Sequence, residues 1–235
     1  MRYYATYTTT RRNQQAMANA GIGTLLGPDQ LDYYPPNLCA WGIGPYALDN
    51  GAWGAFKNGG AFDADGFWRV LERWGDAFDR RAASRGAWCG SAQRPDFIVC
   101  PDIVAGALDS LDLSLRWLPY VRQYGPPLIA VQDGMRPEHV EEYIGPGCGI
   151  FVGGSTGWKW STLAIWAAVA RLYRCHLHVG RVNSARGIRV CRAHGVTSAD
   201  GTSASRFAVN APKLGAACVG PSQMALQVAL MGSES

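Results

Sequence analysis

Three aspartates, Asp49, Asp102 and Asp200, each lie toward the end of a short β-rich run and have glycine, proline or small residues close by. An ionised aspartate can attack an electrophilic carbon, as in retaining glycoside chemistry, while a second carboxyl group protonates the leaving group. At its ordinary pKa of about 3.9 an aspartate is charged at neutral pH and suits the nucleophilic role. The acid/base role needs a pKa raised by burial or by a neighbouring negative charge. These residues therefore predict a site that uses carboxyl groups in two different ways.

Asp200 lies in the segment SADGTSAS, whose other residues are all small. It is the only acid between Glu142 and Glu234, and the same stretch holds nine lysines and arginines. Residues 1–142, in contrast, hold 13 basic and 16 acidic residues. This uneven distribution favours a polyanionic partner, with nucleic acid as the first candidate. The alternative is a basic face that is merely solvated.

Arg186, Arg189 and Arg192 recur every three residues on a predicted helix, 183–195. We expect them to contact phosphates, although a solvated helix face is the alternative interpretation. The other basic residues expected to join them are Lys159, Arg181 and Arg206.

The histidines and cysteines do not predict a metal site. His176 and His178 alternate along a predicted strand and so point to one face, but no carboxylate or further histidine has a matching spacing. The seven cysteines form no C-x-x-C pair and are odd in number, which favours buried free thiols over disulfides or zinc ligands. We expect neither a metal nor a redox cofactor.

Eight β-rich runs alternate with helical patterns along the 235 residues. Most runs are continuously apolar, as is typical of parallel strands that are covered on both faces. The pattern predicts one compact (β/α)8 barrel domain spanning residues 1–235, and an open doubly wound sheet is the alternative. The predicted strands are 5–10, 21–26, 46–51, 96–103, 128–134, 149–154, 176–180 and 195–201. The predicted helices are 61–86, 110–125, 136–145, 160–174 and 183–195.

In such a barrel the carboxyl ends of the strands meet at one rim, where active sites form. Polar residues and glycines follow six of the predicted strands, so we expect them to line a common pocket. We also expect Trp53 or Trp158 to stack on a bound base, although most tryptophans pack in cores. The strand-end residues are Asp49, Asp102, Gln132, Gly153, Gly154, Arg181 and Asp200.

Six motifs occur in an order that resembles the tRNA-guanine transglycosylase superfamily. They are ALDNGAWGAF (47–56), VCPDI (99–103), IAVQDG (129–134), FVGGST (151–156), HVGRVN (178–183) and GVTSADGTSASR (195–206). The set is most similar to the phage and bacterial branch that places a 7-deazaguanine in DNA. The resemblance implies double-stranded DNA and a free 7-deazaguanine base as partners.

The resemblance also implies roles for individual residues. Asp200 would be the nucleophile that forms a covalent sugar ester, and Asp49 would be the general acid/base. Asp102 and Gln132 would read the base edge, together with backbone groups of Gly153 and Gly154.

The sequence departs from the family in two ways. Asn50 and Ala52 replace the usual serine and second glycine after the acid, and Cys218 stands alone after Cys191. The barrel is therefore expected to lack the family's zinc subdomain, which argues against tRNA as the substrate. Three alternatives stay open: an RNA-directed transglycosylase, a small-molecule enzyme that holds phosphate at Gly153 and Gly154, and a non-catalytic nucleic-acid-binding barrel.

No apolar run of about 18 residues is present, so no transmembrane helix and no membrane partner are expected. The N-terminal segment MRYYATYTTTRR lacks the apolar centre of a signal peptide. We therefore expect a cytoplasmic protein.

Overall fold

The structure is a computed structural model that describes residues 1–31, 45–75 and 94–220. Eight parallel strands close into a barrel in chain order, and the last strand pairs with the first. This confirms the predicted (β/α)8 barrel. The strands are β1 Arg2–Thr6, β2 Gly23–Leu26, β3 Tyr46–Leu48, β4 Ile98–Val99, β5 Pro127–Val131, β6 Gly149–Val152, β7 Leu177–Val179 and β8 Ser198–Gly201.

The first strand begins and ends earlier than predicted. Residues 5–10 were expected to be extended, but β1 ends at Thr6 and a helix begins at Arg11. The buried part of β1 is Tyr3, Tyr4 and Ala5, whereas Thr9 and Thr10 are exposed. The threonines have a high strand propensity, but a barrel strand needs side chains that can be buried on both faces.

Helices separate most of the strands. The α-helices of the described residues are α1 Arg11–Asn19, α2 Ala52–Lys57, α3 Ala64–Val70, α4 Ala107–Tyr124, α5 Thr156–Leu172, α6 Ala185–Ala193, α7 Ser203–Arg206 and α8 Ala211–Val219. A π-helical turn, Leu71–Gly75, follows α3. Residues 61–63 of the predicted helix 61–86 are not helical, and residues 76–86 lie outside the described residues.

Two predicted helices differ from those observed. Only the short 3-10 turn Pro137–His139 forms within 136–145, where β-bridge and turn geometry follow it. Helix α4 contains Pro119 in its interior, where a start or a kink was expected. Pro119 is exposed, so the carbonyl group that loses its partner can be solvated.

Apolar side chains fill only part of the barrel interior. Tyr4, Leu25, Ala47, Phe97, Val99 and Leu128 form one buried cluster, and Phe151 packs against it. A second, larger cluster lies between the strands and the surrounding helices. The small inner cluster leaves space toward the carboxyl ends of the strands, which is where a pocket opens.

The five described cysteines are buried free thiols, as predicted; Cys39 and Cys89 lie outside the described residues. Within residues 1–31, 45–75 and 94–220, no helix has the length and apolar character that a membrane span requires.

Candidate active site

A cavity of about 300 Å³ opens at the carboxyl ends of the strands. It is lined by residues that follow β3, β4, β5, β6 and β7 and by β8 itself. The predicted site residues that it brings together are Asp49, Trp53, Asp102, Gln132, Gly153, Gly154, Arg181 and Asp200. Since these residues span more than 150 positions of the sequence, only the barrel topology assembles them.

Asp200 reaches the cavity because β8 pairs with both β7 and β1, with Asp200 opposite Tyr4. Its Oδ1 accepts a hydrogen bond from Nε2 of His178 at 2.9 Å and a longer one, 3.3 Å, from the backbone N–H of Arg181. Among the described residues Oδ2 has no hydrogen-bond partner. One oxygen is therefore held while the other remains available to a ligand.

Asp49 has the surroundings of a proton donor. Burial, followed by the negative charges of Asp200 and Asp102, raises the pKa of Asp49 to about 7. The backbone N–H groups of Asn50 and Gly51 act in the opposite direction but are outweighed. A carboxyl group with this pKa is present in both protonation states at neutral pH, as an acid/base catalyst requires.

Asp102 is held from both sides by amide groups. Nδ2 of Asn50 donates to Oδ1 at 2.7 Å, and Nε2 of Gln132 donates to Oδ2. Burial raises the pKa of Asp102 to about 6, against the effect of these two donors and of the Arg181 charge. A carboxylate offers about four lone-pair sites, so Asp102 can still accept two hydrogen bonds from a ligand.

Gln132 lines the cavity, but its amide is already used. Its Nε2 donates to Asp102, and its Oε1 accepts from the backbone N–H of Ala105 at 2.6 Å. In this geometry Gln132 orients Asp102 and the Ala105 loop. Direct contact with a base, as the resemblance implied, would require these bonds to be exchanged.

The Gly153–Gly154 loop forms one wall of the cavity, and Asp133 supports it. Both oxygens of Asp133 accept hydrogen bonds of 2.6 Å from Ser155, one from its N–H and one from its hydroxyl. Burial tends to raise the pKa of Asp133, but the Ser155 donors outweigh it and lower the pKa.

Two backbone groups of this loop are already bonded. The Gly153 N–H donates to the Val131 carbonyl, and the Gly154 carbonyl accepts from Arg181. The Gly153 carbonyl and the Gly154 N–H are therefore the groups that can meet a base edge.

Gly154 has a positive φ of 57°, and a Cβ there would lie 2.5 Å from the ring of Trp158. Trp158 thus packs behind the loop and lines a separate groove of about 310 Å³ with Trp166 and Met135. It does not line the carboxylate cavity. The expectation that Trp158 stacks on a base in that cavity does not fit this position.

Trp53 and Arg181 lie at the mouth of the cavity. The Arg181 guanidinium stacks over the Trp53 ring at 4.3 Å, and Trp53 remains 40% exposed. Arg181 has a positive φ of 58°, which is uncommon for a residue with a side chain. Of the two tryptophans considered, Trp53 is the one that lines the cavity, and its ring also stacks with the Phe56 ring at 5.8 Å.

The predicted phosphate contacts divide into two groups. Lys159 is buried, and its ammonium donates to the Gly180 carbonyl; burial and then the Arg181 charge lower its pKa to about 8. Arg192 lies in the last turn of α6, toward the opposite end of the barrel, and donates to the Ala217 carbonyl. Neither is available to a phosphate at the cavity mouth.

Arg186, Arg189 and Arg206 are exposed, as phosphate contacts must be.

Sequence reasoning missed three residues that shape the site. His178 holds Asp200, and Asn50 holds Asp102. The side-chain oxygen Oδ1 of Asn183 accepts from the N–H groups of Thr202 and Ser203 beyond β8. The sequence did contain a signal for His178, because His176 and His178 alternate along a strand and so point to the same face. Among the described residues, no group of three His, Cys, Asp or Glu side chains is arranged to hold a metal ion.

Comparisons with known proteins support the fold. No protein-family model matches the sequence, and no curated protein matches it. Among solved structures, the chain is similar to tryptophan synthase from M. tuberculosis, in an open form with BRD0059 bound. The two are 13% identical, the match covers 92% of each chain, and the TM-score is 0.54. Identity at this level concerns architecture alone, so the comparison establishes that the protein has a TIM-barrel fold.

Proposed function

We propose that the protein is a base-exchange transglycosylase that replaces guanine in DNA with a 7-deazaguanine through a covalent ester between Asp200 and the sugar. The observation that carries the proposal is the pairing of two unlike aspartates in one cavity. Asp49 has a pKa of about 7, while Asp200 has one oxygen held by two N–H donors and the other oxygen free of partners among the described residues. Carboxyl groups with such different surroundings suit an acid/base catalyst and a nucleophile.

In the first step, Oδ2 of Asp200 forms a bond to C1′ and the bond between C1′ and N9 of guanine breaks. The bonding electron pair leaves with N9, and the proton held by Asp49 passes to the departing base. Guanine therefore leaves as a neutral molecule, and Asp49 becomes a carboxylate. The hydrogen bonds from His178 and Arg181 to Oδ1 keep the carboxylate in one orientation during the attack.

In the second step, the incoming 7-deazaguanine gives its N9 proton to Asp49, and its N9 forms the new bond to C1′. The bond between C1′ and Oδ2 breaks, and its electron pair returns to Asp200. Both aspartates regain their starting protonation states, so this exchange of bases needs no other reactant.

The size of the cavity requires the target base to leave the helix. About 300 Å³ is at the lower limit of small-molecule pockets and admits a base rather than a duplex. Enzymes that act on a base within a duplex extrude it at a cost of a few kcal/mol. The two free acceptor sites of Asp102 match the N–H groups on the Watson–Crick edge of guanine, and Trp53 supplies an aromatic surface at the mouth.

The test is exchange of labelled guanine and of 7-cyano-7-deazaguanine into duplex DNA and into tRNA, side by side. We expect wild type to label DNA, Asp200→Ala to label neither substrate, and Asp49→Asn to be strongly slowed. Asp112→Asn, a change on the exposed face of α4, is the matched control and should retain wild-type exchange.

A protein–DNA adduct trapped under denaturing conditions should map to Asp200 by mass spectrometry. Exchange that survives in Asp200→Ala would exclude the covalent mechanism. Labelling of tRNA but not of DNA would show that RNA is the substrate. Tight DNA binding without any exchange or adduct would favour a binding protein without catalytic activity.

A further inference from the structure

Four side chains form a continuous hydrogen-bonded row inside the barrel, and it ends at Asp200. Oδ1 of Asp200 contacts Nε2 of His178 at 2.9 Å, and Nδ1 of the same ring contacts Oγ of Ser198 at 2.8 Å. The Ser198 hydroxyl also contacts Nε2 of His176 at 2.6 Å. The row therefore joins the carboxylate cavity to a second cavity, of about 620 Å³, at the opposite end of the barrel, where Ser198 and His176 form part of the lining.

The His178 ring has almost no freedom to move. It is fully buried, lies parallel to the Phe151 ring at 5.1 Å, and contacts the Phe97 ring at 4.7 Å. Ser198 is buried as well. Because the two imidazole nitrogens face partners on opposite sides, a rotation of the ring would break both hydrogen bonds.

The protons in the row are mutually determined. A carboxylate at Asp200 can only accept, so Nε2 of His178 would donate to it; with that single ring proton, Nδ1 is an acceptor. The Ser198 hydroxyl must donate to that Nδ1, and its oxygen accepts from Nε2 of His176. This direction satisfies every donor and acceptor in the row.

The charge state of His176 is compatible with this direction. Burial, then the neighbouring His178 and the charge of Arg2, lower the pKa of His176 to about 3. His176 is therefore neutral at physiological pH. A neutral ring with its proton on Nε2 is the form that donates to Ser198.

We propose that His178 is the positioning residue for Asp200, and that Ser198 and His176 fix the ring tautomer that allows it to donate. This inference rests on the proposed function, because the oxygen left free on Asp200 is the one that would attack C1′. This role differs from metal binding, which the spacing of His176 and His178 could also suggest. It also differs from catalysis, since His178 acts only through Asp200.

The test compares substitutions that keep or remove each hydrogen bond. His178→Leu removes the donor to Asp200 and should lower kcat for base exchange about 100-fold, with KM for DNA nearly unchanged, because misplacement of a reacting group costs this much. His178→Gln retains an N–H that can reach Oδ1 and should recover activity to within about tenfold of wild type. Ser198→Ala frees the tautomer and should cost about tenfold.

Thr197→Val is the matched control, because it removes a neighbouring hydroxyl that lies outside the row and accepts only from the Leu177 N–H among the described residues. It should leave kcat unchanged. Equal activity of wild type and His178→Leu would overturn the positioning role. A rise in KM with constant kcat would also overturn it, because that result indicates substrate binding.

A second measurement does not need activity, and its first part uses wild type alone. Nitrogen-15 NMR of the histidine side chains of wild type should show a single ring proton on His178, at Nε2, and Ser198→Ala should shift that signature toward the other tautomer. A wild-type ring with its proton on Nδ1, or with two protons, would exclude the proposed direction. If wild type shows the expected tautomer but performs no exchange, the proposed function fails while the hydrogen-bonded row stands.

Discussion

Asp49 and Asp200 carry the same side chain and line the same cavity, yet their neighbours differ. Asp49 has two other aspartates as its electrostatic neighbours, which act together with burial to raise its pKa to about 7. Asp200 has a histidine N–H and a backbone N–H as donors. The difference in surroundings arises from the positions of the two residues in the barrel, because the carboxylates that raise the pKa of Asp49 and the donors to Asp200 are distant from these residues in the sequence.

The raised pKa of Asp49 should make its ionisation destabilising. In an unfolded chain an aspartate ionises near pH 3.9, so between about pH 4 and pH 7 the folded state binds more protons at this position. Stability due to Asp49 is therefore complete below about pH 4 and is lost as the pH rises toward 7. We expect Asp49→Asn to exceed wild type in unfolding free energy by about 1–3 kcal/mol at pH 8, and by little at pH 4.

Urea denaturation of both proteins between pH 4 and pH 8 measures this difference. It should grow through the interval and become constant above about pH 7. Because His176 has a lowered pKa and favours folding at higher pH, the difference between the two proteins is more informative than either curve alone. A difference that does not change with pH would contradict the raised pKa.

The three aspartates were predictable because each lies toward the carboxyl end of a predicted strand, and the barrel rule places such residues at one rim. Lys159 and His178 have roles in the structure that the sequence did not predict. A lysine in a basic stretch reads as a surface charge, but Lys159 is buried and bonds to Gly180. The partners of His178 lie on two other strand positions, so its role depends on register, which composition does not reveal.

At the level of elements, the centres of the eight strands were predictable and their ends were not. The predicted strand 96–103 contains only the two paired residues Ile98–Val99. On one side β3 ends at Leu48, which pairs with Ile98, whereas β5 on the other side continues to Val131. The residues that follow β4 lead to Asp102, which lines the cavity.

Helix α5 ends with a residue whose backbone is unfavourable. Arg174, just after the last turn, has a positive φ of 51° and is exposed. Glycine is the usual residue at such a position, because a side chain in this conformation costs about 1–2 kcal/mol. Arg174→Gly should therefore raise the unfolding free energy by about 0.5–1 kcal/mol, after allowing for the greater flexibility of glycine in the unfolded chain.

Thermal or urea unfolding of Arg174→Gly measures this effect. Arg116→Gly, an exposed change within helix α4, is the matched control and should lose about 1 kcal/mol. Opposite signs for the two variants would confirm the backbone explanation. Equal losses would refute it.

At the level of the whole molecule, the basic half of the sequence supplies the arginines near the cavity mouth. Arg181 follows β7, Arg186 lies in the first turn of α6, and Arg206 ends the short helix after β8. These elements all begin at the carboxyl ends of strands, on the side where the cavity opens. The charge distribution and the pocket therefore favour the same face for a polyanion.

If the cavity mouth binds DNA, the affinity should depend on salt mainly through three exposed arginines. If Arg186, Arg189 and Arg206 each neutralise a phosphate, the plot of log K against log salt concentration should have a slope of about −3. Each Arg→Ala change should reduce the magnitude of the slope by about 1. Fluorescence anisotropy with a labelled duplex over a range of salt concentrations measures these slopes.

Arg192→Ala is the matched control, because it is on the same helix but bonds to Ala217 at the other end of the barrel. It should leave the slope unchanged. A slope near zero for wild type, or an equal change for Arg192→Ala, would contradict a phosphate-binding face at the cavity mouth.

The pairing of β8 with β1 has a consequence for the newly made chain. While the polypeptide is still leaving the ribosome, the carboxylate of Asp200 lacks the neighbours that orient it, because His178 and Tyr4 come into register with it only on docking of the last strand. The closed barrel and the oriented Asp200 carboxylate should therefore form at the same stage of folding.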